Sequence, residues 1–158
     1  MTNKDRYFIE QAIEYAREGM NKNDGGPFGV VIVCDGKIIA KGRNLVTSVN
    51  DPTAHAEIVA IRKACETLGT YQLKDCILYS SCEPCPMCLG AIYWARPEKF
   101  FYAGSRQDAA NAGFDDAFIY SEIFLDSEKR QIPGFQIQRN AAVKLFEEWN
   151  QKKDKLSY

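Results

Sequence analysis

A chain of 158 residues, 46% hydrophobic and 26% charged, has the length for one well-filled core and the ordinary balance of a soluble globular protein. Its formal net charge of −1 and pI of about 5.9 weigh against a surface built for nucleic acid, which calls for a basic patch. No apolar run approaches the ~20 residues of a membrane span, and the opening MTNKDRYFIEQ has no signal-peptide pattern, so a cytoplasmic location is expected.

In chain order, Thr2 to Met20 read as a helix. Thr2 and Asp5 are spaced as a capping box, and Phe8, Ala12, Ile13, Ala16 and Met20 recur on one face. Asn21 to Gly26 is a loop. Val30 to Cys34 and Lys37 to Gly42 read as strands joined at Asp35-Gly36, a strong hairpin turn. A polar loop then runs to Asp51. Asp51, followed by Pro52, is placed to cap a helix in which Ala54, Ile58, Ile61, Cys65 and Leu68 keep helical spacing, and Gly69 stops it. Ile77 to Ser81 reads as a buried strand. Pro84 and Pro86 mark the start of a helix that carries Leu89, Ile92 and Trp94 and ends before Arg96-Pro97. Lys99 to Ala103 is a further strand, and Ser105 to Ala112 and Ala117 to Leu125 are short helices. Phe135 to Gln138 is a candidate short strand, and Asn140 can cap a last helix through Trp149. No repeat or linker interrupts the chain, so a single domain over 1–158 is expected. Strands alternating with helices after a hairpin predict an α/β sandwich, a mixed sheet of about five strands with helices on both faces.

The stretch DPTAHAEIVAIRKACETLGTYQLKDCILYSSCEPCPMC, Asp51 to Cys88, holds the chain's one histidine, His55, with Glu57 two residues on and Cys85 and Cys88 at its end. One imidazole and two thiolates are three zinc ligands, and a three-ligand site leaves a position for water, which separates catalytic from structural zinc. Zinc draws the pKa of that water from 15.7 toward about 7. A carboxylate that does not bind the metal, Glu57, can then move protons as base and as acid. The competing reading is a structural zinc, or a solvated Glu57 beside an unrelated cysteine cluster. Cys82 shares the three-residue spacing of Cys85 and Cys88, so spacing alone does not select the ligand pair. The first turn of a proline-started helix would put Cys85 and Cys88 on one face and leave Cys82 at a strand end. Six cysteines spaced this way predict metal and free thiols rather than a disulfide framework, with Cys34, Cys65 and Cys76 packing in the core. Asn44 is either a turn-forming residue or an amide for a base edge, offering both donor and acceptor. Phe28 is either core or a face for a planar base.

The H-x-E…P-C-x-x-C arrangement resembles the cytidine-deaminase-like zinc deaminases. Within that family GGPFG, DPTAHAE, AIRKAC, CILYSSCEPCPMCLGAIYWARP, AGFDDAFIY and the terminal Tyr158 resemble the bacterial members that act on guanine. The likeness weakens between Leu125 and Asp154. The resemblance implies one Zn2+ per subunit on His55, Cys85 and Cys88, with Glu57 as proton shuttle. It implies that Asn44 reads the purine, Phe28 packs on its face and the Ala56 backbone N–H helps hold it. Asp116 would contact the base and assist proton transfer. The C-terminal segment would be exchanged in a homodimer, with Asp116 and Tyr158 completing the partner's pocket. The implied reaction is the hydrolytic deamination of guanine to xanthine and ammonia, with a small-molecule purine as substrate and neither nucleic acid nor membrane as partner. The alternatives are a tRNA adenosine deaminase, a cytosine or other nucleobase deaminase, and a zinc-stabilised binding module without turnover.

Overall fold

Four strands, β1 (Gly29–Cys34), β2 (Lys37–Arg43), β3 (Cys76–Cys82) and β4 (Lys99–Gly104), form one mixed sheet in the order β2-β1-β3-β4. The computed structural model of the chain describes residues 2–114 and 116–156. β1 runs antiparallel to both β2 and β3, while β3 and β4 are parallel. The β1–β2 turn is tight because Asp35 and Gly36 both take positive φ, 50° and 73°, as a two-residue hairpin demands. The chain divides into two compact units, Met1–Ala117 and Phe118–Tyr158, and the sheet belongs to the first.

Alternation along β1 splits the core in two. Val31 and Val33 point to α1 (Asn3–Asn21), where they pack with Phe8, Ala12 and Tyr79. Val30 and Ile32 point the other way, toward α3 (Ala56–Leu68) and α4 (Pro86–Ala95), and pack with Ala56, Ala60, Ala64, Leu78 and Ile92. Helices therefore cover both faces, as expected from the sequence. α1 starts at a complete Thr2–Asp5 capping box. Asp5 also accepts a 2.8 Å hydrogen bond from the Tyr79 hydroxyl, which ties the helix start to the middle of the sheet.

Several expectations are corrected. The sheet has four strands among the described residues, not about five, because Phe135 to Gln138 pairs with nothing there; Pro133 just before it has no N–H to give a ladder. Asp51 does not cap a helix. Its carboxylate accepts from the backbone and hydroxyl of Thr53 in a local turn, and α3 begins only at Ala56, with His55 as its N-cap. A short helix, α2 (Val46–Val49), stands in the supposed loop. The most buried stripe of α3 is Ala56, Ala60 and Ala64 with Glu57 and Val59, while Leu68 is exposed. Small residues win that face because β2 approaches so closely: a Cβ on Gly42 would lie 2.1 Å from the Ala56 carbonyl oxygen and 2.5 Å from the Ala60 nitrogen.

After β4 the first unit ends in α5 (Arg106–Asn111), capped by a Ser105–Asp108 box. The second unit holds α6 (Ala117–Ile123), a 3₁₀ turn at Ser127–Lys129 and α7 (Arg139–Gln151), which is capped at Gln138 rather than Asn140. None of its described residues is buried. No helix among the described residues is long and apolar enough to cross a membrane.

Candidate active site

The ends of α3 and α4 meet beside the sheet. His55 is the N-cap of α3, and Cys85 is the N-cap of α4 with Pro86 in the first turn. That proline fixes the helical φ and has no N–H to lose there, and Cys85 Sγ accepts from the Cys88 N–H at 3.5 Å. The three donor atoms converge as one possible metal group. A tetrahedral zinc with bonds of about 2.3 Å to sulfur and 2.0–2.1 Å to nitrogen sets N and S roughly 3.6 Å apart. His55 Nδ1 lies 3.6 Å from Cys85 Sγ and 3.5 Å from Cys88 Sγ, so His55, Cys85 and Cys88 are suited to hold one zinc.

The electrostatics fit a cation. Hydrogen bonding to Cys88 holds the Cys85 thiol down at about 4, and its contact with His55 lowers it too. The Cys85 contact in turn raises His55 above its ordinary value. Cys88 is pushed up, first by its hydrogen bond to Cys85 and then by burial. Cys82 ends β3, is raised to about 11 by burial, and hydrogen-bonds the Ser105 carbonyl at 3.6 Å. It stands outside the metal group and lines the cavity, at the strand end where the sequence put it.

That cavity, of about 320 Å³, is at the small end of ligand pockets, which run about 300–1,000 Å³. Its wall includes Gly26, Phe28, Asn44, His55, Glu57, Cys85, Phe114 and Asp116. Glu57 is 7% exposed, and burial pushes its carboxyl above the ordinary carboxylate range. Phe28 meets Phe114 edge-on, with ring centroids 4.9 Å apart at 82°, so two aromatic rings form one end of the cavity. Asp116 lines the cavity, and the turn after α5, with Gly113 at φ 90°, precedes it. Ala56 is the first residue of α3, whose N-cap side chain makes no capping bond, so its N–H is one of the four with no partner inside the helix. Tyr158 lies outside the described residues.

Asn44 is 8% exposed, and its Oδ1 accepts from the Gly26 N–H at 3.3 Å and the Val46 N–H at 3.2 Å. Its amide therefore does not offer both donor and acceptor to the cavity, as its type alone suggested. Phe114, Arg106 and Glu83 also line the cavity and were missed by sequence reasoning. Phe114 had a usable signal, since it sits within AGFDDAFIY.

A buried carboxylate beside a His-Cys-Cys group, in a small cavity walled by aromatic rings, has the parts for hydrolysing a planar heterocycle. Residues 2–104 match the family described as the cytidine and deoxycytidylate deaminase zinc-binding region, and the chain belongs to that family of zinc-dependent deaminases. It is 59% identical to the guanine deaminase of Bacillus subtilis (strain 168) over 151 residues, 96% of this chain and 97% of that one. A crystal structure of guanine deaminase from Bacillus subtilis superposes with a TM-score of 0.95 at 57% identity, covering 100% of this chain and 99% of the other. The tRNA-specific adenosine deaminase of Buchnera aphidicola subsp. Schizaphis graminum is 35% identical over 91% of this chain and 92% of its own length.

Proposed function

We propose that this chain hydrolyses guanine to xanthine and ammonia. The carrying observation is its likeness to the Bacillus subtilis guanine deaminase along nearly its whole length, including the stretch past residue 104 where the family match ends. The tRNA-acting relative is far less similar, and a net charge of −1 offers little to a polyanion.

Zinc held by His55, Cys85 and Cys88 would supply the Lewis acidity that lowers a water's pKa toward about 7. Glu57 takes a proton from the attacking water and passes it to a ring nitrogen, then takes the second proton from the hydroxyl now bonded to the ring carbon and delivers it to the amino group, which leaves as ammonia while the carbonyl forms. Burial shifts its pKa upward, the direction a proton shuttle working near neutral pH calls for. Phe28 and Phe114 flank the base, Asn44 and the Ala56 N–H hold its edge, and Asp116 contacts it and assists proton transfer.

The protein acts in the cytoplasm as a homodimer that exchanges its C-terminal segment, so that Tyr158 completes the partner's pocket. The second unit supports this reading. Phe124, Ile132 and Ile137 are each more than four-fifths exposed, at 87%, 85% and 82%, and none of the unit's described residues is buried. A segment this short with no core does not hold itself together, and a second copy of the chain is the cover that accounts for it.

Incubation of the purified protein with nucleobases, nucleosides and tRNA, followed by ammonia release and ultraviolet spectra, tests the substrate. Guanine alone should be consumed rapidly; inosine formed in tRNA with guanine untouched would overturn the reading.

A further inference from the structure

Gly25 sits against Asn44. A Cβ built on Gly25 would lie 2.3 Å from Asn44 Oδ1 and 2.6 Å from the Asn44 carbonyl oxygen. Gly25 is not among the glycines with positive φ, so its backbone does not require glycine; the space beside Asn44 does.

Neither side of this contact is free to part. The Asp24 N–H donates to the Gly19 carbonyl at 3.0 Å, and the Asp24 carboxylate pairs with Arg43 at 2.5 Å. The Thr47 hydroxyl donates to the Asp24 carbonyl at 3.4 Å. Across the contact, the Asn44 N–H donates to the Phe28 carbonyl at 3.1 Å. A side chain at position 25 would therefore press on the Asn44 amide oxygen, and also on the Asn44 backbone carbonyl. Two backbone N–H groups already fix that amide through its oxygen, and turning it over would set its NH2 against two donors. What remains for the cavity is Nδ2, a donor with no protein partner shown among the described residues.

We propose that Gly25 is a positioning residue for the Asn44 amide, holding it so that the cavity receives only a donor and a bound base must present a hydrogen-bond acceptor there. The inference rests on the guanine reading for its substrate and deepens it. A ring nitrogen lone pair or a carbonyl oxygen satisfies Asn44, and a base with N–H at that position leaves two donors facing each other, an unmade bond at a desolvated site.

Four proteins test it: Gly25→Ala, Asn44→Ala, the double variant and Asn44→Asp, each checked for zinc content and Tm. Wild-type turnover of guanine comes first, and its failure sinks the substrate reading alone. Gly25→Ala should retain zinc and lose about 10-fold or more in kcat/KM, the worth of one hydrogen bond. In the Asn44→Ala background the same change should cost several-fold less than in the wild type, because only the clash with the backbone carbonyl remains and residues that act through one another are not additive. Equal losses in both backgrounds would overturn the proposal. Asn44→Asp keeps an oxygen for both N–H groups but has no donor, so it too should lose at least about 10-fold; near-normal turnover would overturn the donor assignment even if Gly25→Ala failed to fold. A crystal structure of Gly25→Ala needs no substrate at all. It should show the Asn44 amide displaced from the Gly26 and Val46 N–H groups, and an amide still in place would overturn the inference whatever the enzyme acts on.

Discussion

Glu57 carries the chemistry proposed here because it is a carboxylate that helix packing buries beside a metal group without making it a ligand. Glu57→Gln keeps the shape and removes the transferable proton, so zinc should remain while turnover falls at least about 10²-fold. Steady-state kinetics beside metal analysis check this, and near-normal turnover would remove Glu57 from its role. Cys85→Ala and Cys88→Ala should each lose zinc, whereas Cys82→Ala should keep it, since Cys82 lies outside the converging group; metal analysis of the three proteins decides. At this scale much was legible. A histidine, a glutamate two residues later and a spaced cysteine pair announce their chemistry by type. What Asn44 offers was not legible, because an amide can face either way and only the N–H groups of Gly26 and Val46 choose.

Among the elements, α3 matters most, since its start places both His55 and Glu57. Sequence periodicity predicted a helix there and put Ile61 and Cys65 on a face that does pack against the core, but it included the exposed Leu68 and began the helix too early. The most buried stripe is alanine, because Gly42 lets β2 come against the helix backbone. Asp51-Pro52 looked like a helix start, and Thr53 instead captures the Asp51 carboxylate in a turn. The close approach gives an element-scale prediction. Gly42→Ala puts a methyl group 2.1 Å from the Ala56 carbonyl oxygen, and no flexible side chain is there to yield. Such overpacking costs about 1–3 kcal/mol or more, so Tm should fall by at least ~3 °C. Zinc affinity should fall with it because the helix start moves. Calorimetry and a zinc titration measure the two; an unchanged Tm would mean that α3 has slack the structure does not show.

For the whole molecule, the alternation of strands and helices made the fold class readable, while the second unit was the least legible part. Its apolar residues follow no simple period from Leu125 to Arg139, and their partners are not nearby in sequence. If exchange between subunits covers them, deleting the last few residues should leave zinc and fold intact but impair guanine turnover. Mixing a Glu57→Gln chain with a tail-deleted chain should then restore activity, since one site of the mixed dimer would take its Glu57 from one chain and its tail from the other. No recovery in a mixture shown to contain heterodimers would place each tail over its own site or none. The most direct test of the central claim is the reaction itself, run on guanine in water enriched in heavy oxygen, with the product analysed by mass spectrometry. Hydrolysis at this site predicts xanthine carrying one heavy oxygen, with one ammonia released for each xanthine formed. Guanine recovered unchanged, or xanthine without the label, would contradict it.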